Sequence, residues 1–213
     1  MSDPLSQHTD YGQMPLNDSD VLADPIEQFR LWLSNASDSH VYEPNAMVLS
    51  TVDASGSPSS RTVLLRAIDA AGFEFFTNYS SIKGRALVAN PATALVFPWY
   101  AIHRQVLVQG VARPIAAALS DEYFATRPRG SQIAAHASEQ SQPIASRALL
   151  EQRVTELEAE FEGRDVPRPS DWGGFVVEPR SIEFWQGRSS RLHDRVRFVR
   201  AESGAWERMR LQP

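Results

Sequence analysis

Short apolar runs separated by tight turns occupy residues 46 to 111, and they constrain the fold more than any other feature of the sequence. The runs have the length of β-strands and cover Ala46 to Val52, Arg61 to Ile68, Phe73 to Thr77, Thr93 to Trp99 and Arg104 to Val111. Turn sequences rich in Asp, Ser, Gly and Pro divide the first three. Strands and turns of this kind are typical of antiparallel pairing. The sequence therefore predicts a core that is a sheet or a barrel.

Helices are expected around this core. Asp24-Pro25-Ile26-Glu27 begins the first, because Asp is a favoured N-cap, Pro fits the first helical position and Glu completes a capping box. Further helices are predicted at Ser81 to Ala89, Ser120 to Arg127 and Ile144 to Phe161, and closing strands at Gly174 to Val177, Ser181 to Gln186, Leu192 to Val199 and Trp206 to Leu211. The predicted fold class is α+β, mainly β, with peripheral helices.

Length and composition bound the organisation of the chain. Its 213 residues, 42% of them hydrophobic, predict a single domain over residues 24–213 after a flexible polar arm over residues 1–23. The absence of cysteine excludes disulfides and thiolate metal sites, and the histidines are scattered singly, so no metal site is predicted. A formal charge of −5 argues against a nucleic-acid partner. The sequence has no signal-peptide pattern and no apolar stretch of roughly 18 residues. We therefore expect a cytoplasmic protein that does not bind a membrane.

The most distinctive charge pattern is the alternating segment Arg191-Leu192-His193-Asp194-Arg195. If the segment is a strand, side chains two residues apart point to one face. Arg191, His193 and Arg195 would then form a cationic row suited to an anion. A solvated strand edge, protected from aggregation by charge, explains the same pattern.

Other cations and hydroxyl groups stand near the ends of predicted elements. Lys83 lies in the first turn of a predicted helix, where free backbone N–H groups and the helix dipole favour a phosphate. Tyr123 and Arg127 are four residues apart, and the break at Pro128 lets Ser131 fold back toward them, which makes a candidate phosphate clamp. The same residues also fit simpler roles, with Lys83 as a surface charge, Tyr123 packed in the interior and Arg127 capping its helix. Two phosphate sites would imply a phosphorylated cofactor and a phosphorylated substrate.

A series of short motifs points to one family. They are Arg61-Thr62-Val63-Leu64-Leu65-Arg66, Phe76-Thr77-Asn78, Lys83-Gly84, Phe97-Pro98-Trp99, Arg104-Gln105-Val106, Arg127-Pro128-Arg129-Gly130-Ser131-Gln132, Ser138-Glu139-Gln140-Ser141, Trp172-Gly173-Gly174, Glu183-Phe184-Trp185-Gln186-Gly187 and Arg191-Leu192-His193-Asp194-Arg195. In these motifs and their order, the chain resembles the pyridoxine/pyridoxamine 5'-phosphate oxidase family over roughly residues 24 to 213. The resemblance implies an FMN-binding split β-barrel that forms a homodimer with FMN at the interface. It also implies oxidation of pyridoxine or pyridoxamine 5'-phosphate to pyridoxal 5'-phosphate in vitamin B6 metabolism, with dioxygen as acceptor and hydrogen peroxide as product.

The resemblance implies roles for individual residues. Contacts with FMN are implied for Arg61, Thr62, Val63, Leu64, Leu65, Arg66, Phe76, Thr77, Lys83, Gln105, Gln140, Ser141, Trp185 and Arg195, of which Arg61, Lys83, Gln140 and Ser141 would meet the phosphate and ribityl chain. The substrate phosphate would be bound by Arg66, Tyr123, Arg127 and Ser131. Arg191 and His193 would be the catalytic residues, placed over the pyridine ring of the substrate.

Three positions depart from the family pattern. Arg66 stands where lysine is usual, and the two side chains are not interchangeable at a phosphate site. Ile82 precedes Lys83 where some members have a second arginine. In the N-terminal arm, the sequence His8-Thr9-Asp10-Tyr11 leaves only Tyr11 as a remnant of the lid that some members place over the active site.

Two other functions are compatible with the sequence. A related FMN split-barrel oxidase acting on another ring substrate, as in phenazine biosynthesis, would share the FMN residues and lose the phosphate clamp. Retention of Tyr123, Arg127 and Ser131 favours the vitamin B6 substrate. A non-catalytic module that binds flavin or pyridoxal phosphate would hold its ligand without turnover, and the pair Arg191 and His193 argues against it.

Overall fold

The structure is a computed structural model that describes residues 3–6 and 10–213. His8 and Thr9, in the N-terminal segment considered above, lie outside the described residues. The α-helices within the described part are α1 (Pro25–Asp38), α2 (Ile82–Ala89), α3 (Ala117–Thr126), α4 (Arg129–Ala137) and α5 (Arg147–Glu160). The strands are β1 (Ala46–Val52), β2 (Pro58–Leu64), β3 (Ala67–Asp69), β4 (Gly72–Asn78), β5 (Ala92–Trp99), β6 (Arg104–Pro114), β7 (Trp172–Gln186), β8 (Asp194–Arg200) and β9 (Trp206–Leu211).

Hydrogen bonding orders seven of these strands as β2-β1-β5-β6-β7-β4-β3, and β8 pairs with both β7 and β9. The β3–β4, β4–β7, β7–β8 and β8–β9 pairs are antiparallel, and the β3–β4 pair confirms the pairing that the short turns predict. The chain divides into two compact units. Unit one comprises Met1–Leu49, Ala94–Gly110 and Pro179–Pro213, and unit two comprises Ser50–Thr93 and Val111–Glu178.

The core of unit one is aromatic. Helix α1 begins as its sequence predicts, with the Asp24 side chain accepting a hydrogen bond from the Ile26 N–H at 2.7 Å. Its buried face carries Phe29, whose ring centroid lies 4.7 Å from that of Phe97, and Trp32, which lies 5.2 Å from Phe184. These buried aromatic rings contribute hydrophobic stabilisation to this unit.

The core of unit two joins strands β4 and β7 to the helices. The two strands pair with Phe75 opposite Phe175, and these rings stack with centroids 5.8 Å apart. A second cluster centres on Phe124 of α3, Ile133 of α4 and Trp172 at the start of β7. This cluster fixes the end of α3 against the sheet, and the candidate site lies beside it.

Several predicted elements are confirmed. Strand β1 and strand β9 have the predicted bounds, and α2 begins after its N-cap Ser81, whose side chain accepts from the Gly84 N–H at 3.2 Å. The helix predicted at Ile144 to Phe161 is α5, which is capped by Ser146. The N-cap residues Asp24 and Ser81 therefore mark the starts of α1 and α2 correctly.

Other predictions are wrong. The run from Arg61 to Ile68 is two strands, because the chain breaks at Leu65-Arg66, where the Arg66 N–H donates to the Glu74 carbonyl at 2.8 Å. Ser120 does not cap α3: that helix begins at Ala117, and the buried Ser120 hydroxyl accepts from a main-chain N–H of β7. Helix α4 was not predicted, and the two strands predicted within residues 174–186 are one continuous strand, β7.

Part of the segment predicted as an arm packs on unit one. Leu16 and Val21 are buried, with 4% and 7% of their surface exposed. From β9, Arg210 donates to the Leu16 carbonyl at 2.8 Å, and Arg208 donates to the Val21 carbonyl at 3.3 Å. The bounds of the arm and the division into domains stay predictions.

Candidate active site

Unit two contains a cavity of about 270 Å³ that gathers most of the residues predicted to bind ligands. Its walls are formed by Thr62, Val63, Leu64, Arg66, Phe76, Thr77, Lys83, Tyr123, Arg127, Gln140 and Trp172. Strand β2, strand β4, helix α2 and the C-terminal end of α3 each supply part of this wall. We call it the unit-two cavity.

One part of the cavity is a cluster of polar groups around Lys83, called here the lysine cluster. The buried Lys83 ammonium donates to Gln140 Oε1 at 2.7 Å, to Thr77 Oγ1 at 3.1 Å and to Ser81 Oγ at 3.4 Å. All three acceptors are uncharged. Burial, and then the charge of Arg61, lower the pKa of Lys83 to about 8. The cluster therefore holds a cation that an anion would stabilise.

The lysine cluster lies at the N-terminus of α2. The Ile82 N–H donates to Ser141 Oγ at 3.3 Å, and Ser141 has a positive φ of 76°. Arg61 donates to Thr51 Oγ1 at 2.8 Å, and burial lowers its pKa. The positive end of a helix dipole, together with nearby cations, makes a site suited to phosphate. Arg61 and Ser141 belong to this region without lining the cavity.

Gly84 in α2 allows the close approach of this helix to the preceding loop. A Cβ atom there would lie 2.3 Å from the Tyr79 carbonyl oxygen and 2.6 Å from the Asn78 carbonyl oxygen. Contacts this short require the backbone to move, so only glycine fits. The motif Lys83-Gly84 thus combines a cation with the residue that lets its helix dock.

Another part of the cavity is a cluster around Arg127, called here the arginine cluster. The Arg127 guanidinium carbon lies 4.7 Å from the centre of the Trp172 ring, and the Phe76 and Tyr123 rings stack at 3.9 Å. Nη1 of Arg127 is buried and has no hydrogen-bond partner among the residues that the structure describes. Burial, and to a smaller extent the charge of Arg66, lower the pKa of Arg127, whereas Tyr123 raises it. A buried guanidinium donor without an acceptor is matched to an anionic ligand.

Predicted substrate residues occupy somewhat different elements from those expected. Helix α3 ends at Thr126, and Arg127 is its C-cap with extended backbone angles. Contrary to the sequence prediction, Tyr123 and Arg127 therefore do not lie one turn apart on the same helix face. Ser131 lies in the first turn of α4 and is half-buried, and it is not among the residues that line the cavity. Leu65 is buried and also lies outside the lining.

The remaining predicted residues belong to unit one, where His193 is part of an aromatic cluster. Its ring lies 4.6 Å from that of Trp185 and 5.5 Å from that of Tyr11, measured between centroids. The Arg188 N–H donates to His193 Nδ1 at 3.1 Å. Burial, and then the charge of Arg191, lower the pKa of His193. Tyr11, predicted as the remnant of a lid, thus contacts the predicted catalytic histidine.

The cationic row predicted for Arg191, His193 and Arg195 is wrong. Arg191 ends a 3-10 turn with a positive φ of 61°, and β8 begins only at Asp194, so the three side chains do not share a strand face. Arg195 is in β8 and donates to Glu183 Oε1 at 2.7 Å, which raises its pKa. Gln105 is half-buried as the second residue of β6.

Trp172 is the wall residue that the site prediction omitted. Its ring is parallel to those of Phe76 and Tyr123, at 5.4 Å and 6.2 Å between centroids. The family motif Trp172-Gly173-Gly174 was a signal for it, since a large aromatic ring before two glycines marks a close approach of chain segments.

Solved structures define the fold class. The chain aligns with PhzG from Burkholderia lata 383, solved in complex with tetrahydrophenazine-1-carboxylic acid, at a TM-score of 0.89 and 31% identity, covering 95% of this chain and 100% of that one. It also aligns with a pyridoxamine 5'-phosphate oxidase-related, FMN binding protein from Nostoc punctiforme PCC 73102, at a TM-score of 0.72, 14% identity and coverages of 91% and 100%. The fold is that of the FMN-binding split β-barrels, as predicted.

Sequence comparison defines the family. Residues 33–161 match the family described as pyridoxamine 5'-phosphate oxidase, and residues 172–213 match the pyridoxine 5'-phosphate oxidase C-terminal dimerisation region. A pyridoxine/pyridoxamine 5'-phosphate oxidase of Rubrobacter xylanophilus is 52% identical over 96% of this chain and 94% of its own length. The enzyme of that name from Salinibacter ruber is 47% identical over the full length of both chains. The chain therefore belongs to the pyridoxamine 5'-phosphate oxidase family.

Three properties of this chain follow from its membership of the family. It is an oxidoreductase, its cofactor is FMN, and it forms a homodimer. The lysine cluster fits FMN, because a buried cation with only uncharged acceptors stands at a helix start. No helix in the described part of the chain is long and apolar enough to cross a membrane.

Proposed function

We propose that this chain is an FMN-dependent oxidase that converts pyridoxine 5'-phosphate or pyridoxamine 5'-phosphate to pyridoxal 5'-phosphate. Dioxygen accepts the electrons and becomes hydrogen peroxide, and with pyridoxamine 5'-phosphate the reaction also consumes water and releases ammonia. The relatives that match almost the whole chain at about half identity carry the name of this activity.

The observation that carries the proposal is the unit-two cavity, whose wall contains two separate groups suited to phosphate. Within the described part of the chain, Lys83 donates to three uncharged oxygen atoms, and the buried Nη1 of Arg127 has no partner. Leaving a charged donor unsatisfied costs free energy that a phosphate oxygen would recover. One phosphate belongs to FMN and the other to the substrate.

The lysine cluster would hold the FMN phosphate. In this assignment Lys83 and Arg61 supply charge, Gln140 and Ser141 supply polar contacts, and the N-terminal end of α2 adds the positive end of its dipole. Residues 62–66, Phe76, Thr77, Gln105, Trp185 and Arg195 would contact the rest of the cofactor, at an interface between two chains. Bound FMN supplies the redox chemistry, which is acceptance of a hydride from the 4' carbon of the substrate and reoxidation by dioxygen.

The arginine cluster would hold the substrate phosphate, with Arg127 as the main donor and Arg66, Tyr123 and Ser131 in support. Arg191 would orient the pyridine ring and stabilise charge as the 4' carbon loses hydride, and His193 would donate a hydrogen bond on the side of the ring hydroxyl. Each protein group binds or orients, and none takes up electrons.

The experiment is direct. The purified protein should be yellow from bound flavin, and pyridoxine or pyridoxamine 5'-phosphate should start the formation of peroxide together with the absorbance of pyridoxal phosphate. Matched reactions with the unphosphorylated vitamers test the arginine cluster, because those substrates lack the group that Arg127 is proposed to bind. Flavin that is bleached without a phosphorylated substrate, or is not reduced in its presence, would refute the proposal.

A second candidate is supported by the likeness to PhzG, whose structure holds tetrahydrophenazine-1-carboxylic acid. An oxidase of that kind would use a ring substrate that carries a carboxylate and lacks a phosphate. The relatives named pyridoxine/pyridoxamine 5'-phosphate oxidase, at 52% and 47% identity against 31% for PhzG, favour the phosphate. Turnover of a dihydro- or tetrahydrophenazine carboxylic acid, without turnover of the B6 phosphates, would select this alternative. A cytoplasmic location stays a prediction.

A further inference from the structure

The turn that joins β7 to β8, residues 187–193, carries both predicted catalytic residues and has an unusual backbone. Ser190 and Arg191 have positive φ values of 56° and 61°, a conformation that residues with side chains adopt infrequently. Such a turn persists only where its surroundings hold it. Main-chain contacts contribute, since the Gly187 N–H donates to the His103 carbonyl at 2.7 Å and the Ser189 N–H donates to the Gly12 carbonyl at 2.9 Å.

Asp194 closes this turn with its side chain. Its Oδ2 accepts from Arg188 Nη1 at 2.8 Å and from the Leu16 N–H at 3.1 Å, and its Oδ1 accepts from Arg210 Nη1 at 2.9 Å. Only 20% of the Asp194 side chain is exposed. Both oxygens are therefore fixed by donors, in a place where solvent screens the charges less than at an open surface.

Arg188 connects this carboxylate to the catalytic histidine. Asp194 holds its guanidinium, and its main-chain N–H donates to His193 Nδ1 at 3.1 Å. Because Nδ1 is an acceptor in this hydrogen bond, a neutral His193 ring carries its proton on Nε2. The ring can then donate from Nε2 to a ligand.

We propose that Asp194 is a positioning residue of the oxidase. It holds Arg188 so that the Arg188 N–H selects the His193 tautomer whose Nε2–H donates to the substrate. Asp194 touches neither substrate nor cofactor in this role, and it acts through Arg188 and His193. The inference rests on the proposed function for the contact between His193 and substrate, whereas the tautomer itself is a property of the protein alone.

The test compares Asp194→Asn with Asp18→Asn in the full-length FMN-loaded enzyme. Asp and Asn have almost the same volume, so the substitution at Asp194 removes only the negative charge that binds Arg188 and Arg210. The control removes a carboxylate that binds the same Arg210, from Nη2 at 2.8 Å, and is not part of the turn. We expect kcat to fall about 10-fold or more in Asp194→Asn, since misorientation of a reacting group has effects of this size. FMN content should be unchanged in both variants, and Asp18→Asn should keep the wild-type kcat.

Arg188→Gln removes the same ion pair from its other side and gives a second, independent test. If the two residues act as one unit, Arg188→Gln should lower kcat by a similar factor, and the double variant should lose no more than either single variant. Additive losses in the double variant, or a kcat in Asp194→Asn equal to that of Asp18→Asn, would overturn the proposal.

Nitrogen NMR of protein with ¹⁵N-labelled histidine reads the tautomer without any turnover. The wild-type His193 signals, assigned by their loss in His193→Gln, should show an unprotonated Nδ1 and a protonated Nε2 in the neutral ring. Asp194→Asn should shift this population toward the Nδ1–H form, and an unchanged tautomer would refute the positioning role. A different result would separate the two proposals. If the tautomer shifts in Asp194→Asn but the wild-type protein oxidises no B6 phosphate, the proposed function is refuted and the role of Asp194 in setting the tautomer stands.

Discussion

FMN affinity is expected to fall as the pH rises through about 8, because that is the value to which burial, and then Arg61, lower the pKa of Lys83. A phosphate beside the ammonium favours the protonated form. FMN binding therefore requires a proton on Lys83 that the FMN-free protein begins to lose near this pH. Because the protonated lysine is the form that binds the phosphate anion, FMN affinity falls in alkaline solution.

The size of the effect follows from the same pKa of about 8. Roughly 90% of the lysine is protonated at pH 7 and roughly 10% at pH 9, so the apparent Kd should rise about tenfold between them, equivalent to about 1.4 kcal/mol. The phosphate itself contributes little over this interval, since the second proton of a phosphate monoester leaves near pH 6.

The assay is titration of FMN-free protein with FMN at pH 7, 8 and 9 and constant ionic strength, followed by quenching of flavin fluorescence. Lys83→Arg is the matched control, because a guanidinium stays protonated over this range and should make the Kd independent of pH. Lys83→Met should bind weakly at every pH. A flat wild-type profile, or a Lys83→Arg profile as steep as that of the wild type, would refute the reasoning.

Three further substitutions test other parts of the site. Arg191→Ala should lower kcat/KM by about 100-fold or more while FMN absorbance stays at full occupancy, and loss of flavin would mean that Arg191 was misassigned. Arg127→Ala should raise KM for the phosphorylated substrate by about 10- to 100-fold, from the loss of a charge-assisted hydrogen bond, and an equal effect on unphosphorylated pyridoxine would contradict the phosphate assignment. Gly84→Ala should cost about 1–3 kcal/mol in denaturant unfolding, because its Cβ meets the Tyr79 carbonyl oxygen at 2.3 Å. Gly130→Ala, where a Cβ meets nothing within 4 Å, is its control and should change stability little.

Local signals in the sequence were enough to predict the elements that present the lysine cluster. Ser81 and the pair Asn90-Pro91 mark both ends of α2, and turn residues mark the strands before it. These signals work because capping and turn formation depend on neighbours within a few residues. Gln140 was predicted from the family resemblance alone. It is distant from Lys83 in the sequence, and the spacing of residues gives no indication that the two side chains are in contact.

The features that escaped prediction depend on tertiary structure. The alternation in Arg191-Leu192-His193-Asp194-Arg195 imitates a strand, yet two successive residues with positive φ place Arg191 in a turn. Proline at 128 and glycine at 130 read as loop signals, although proline is compatible with a helix start, and α4 follows. Burial of the Arg127 Nη1 atom depends on the packing of Trp172 and Phe124, which residue identity does not reveal.

The two clusters contain different cations, and in the proposed assignment this difference separates the pH dependence of cofactor binding from that of substrate binding. Lys83 titrates near 8, whereas a guanidinium keeps its proton throughout the range in which proteins are stable, even where burial lowers the pKa as at Arg127. Loss of activity in alkaline solution should therefore arise from loss of FMN. Added FMN, and not added substrate, should restore the rate.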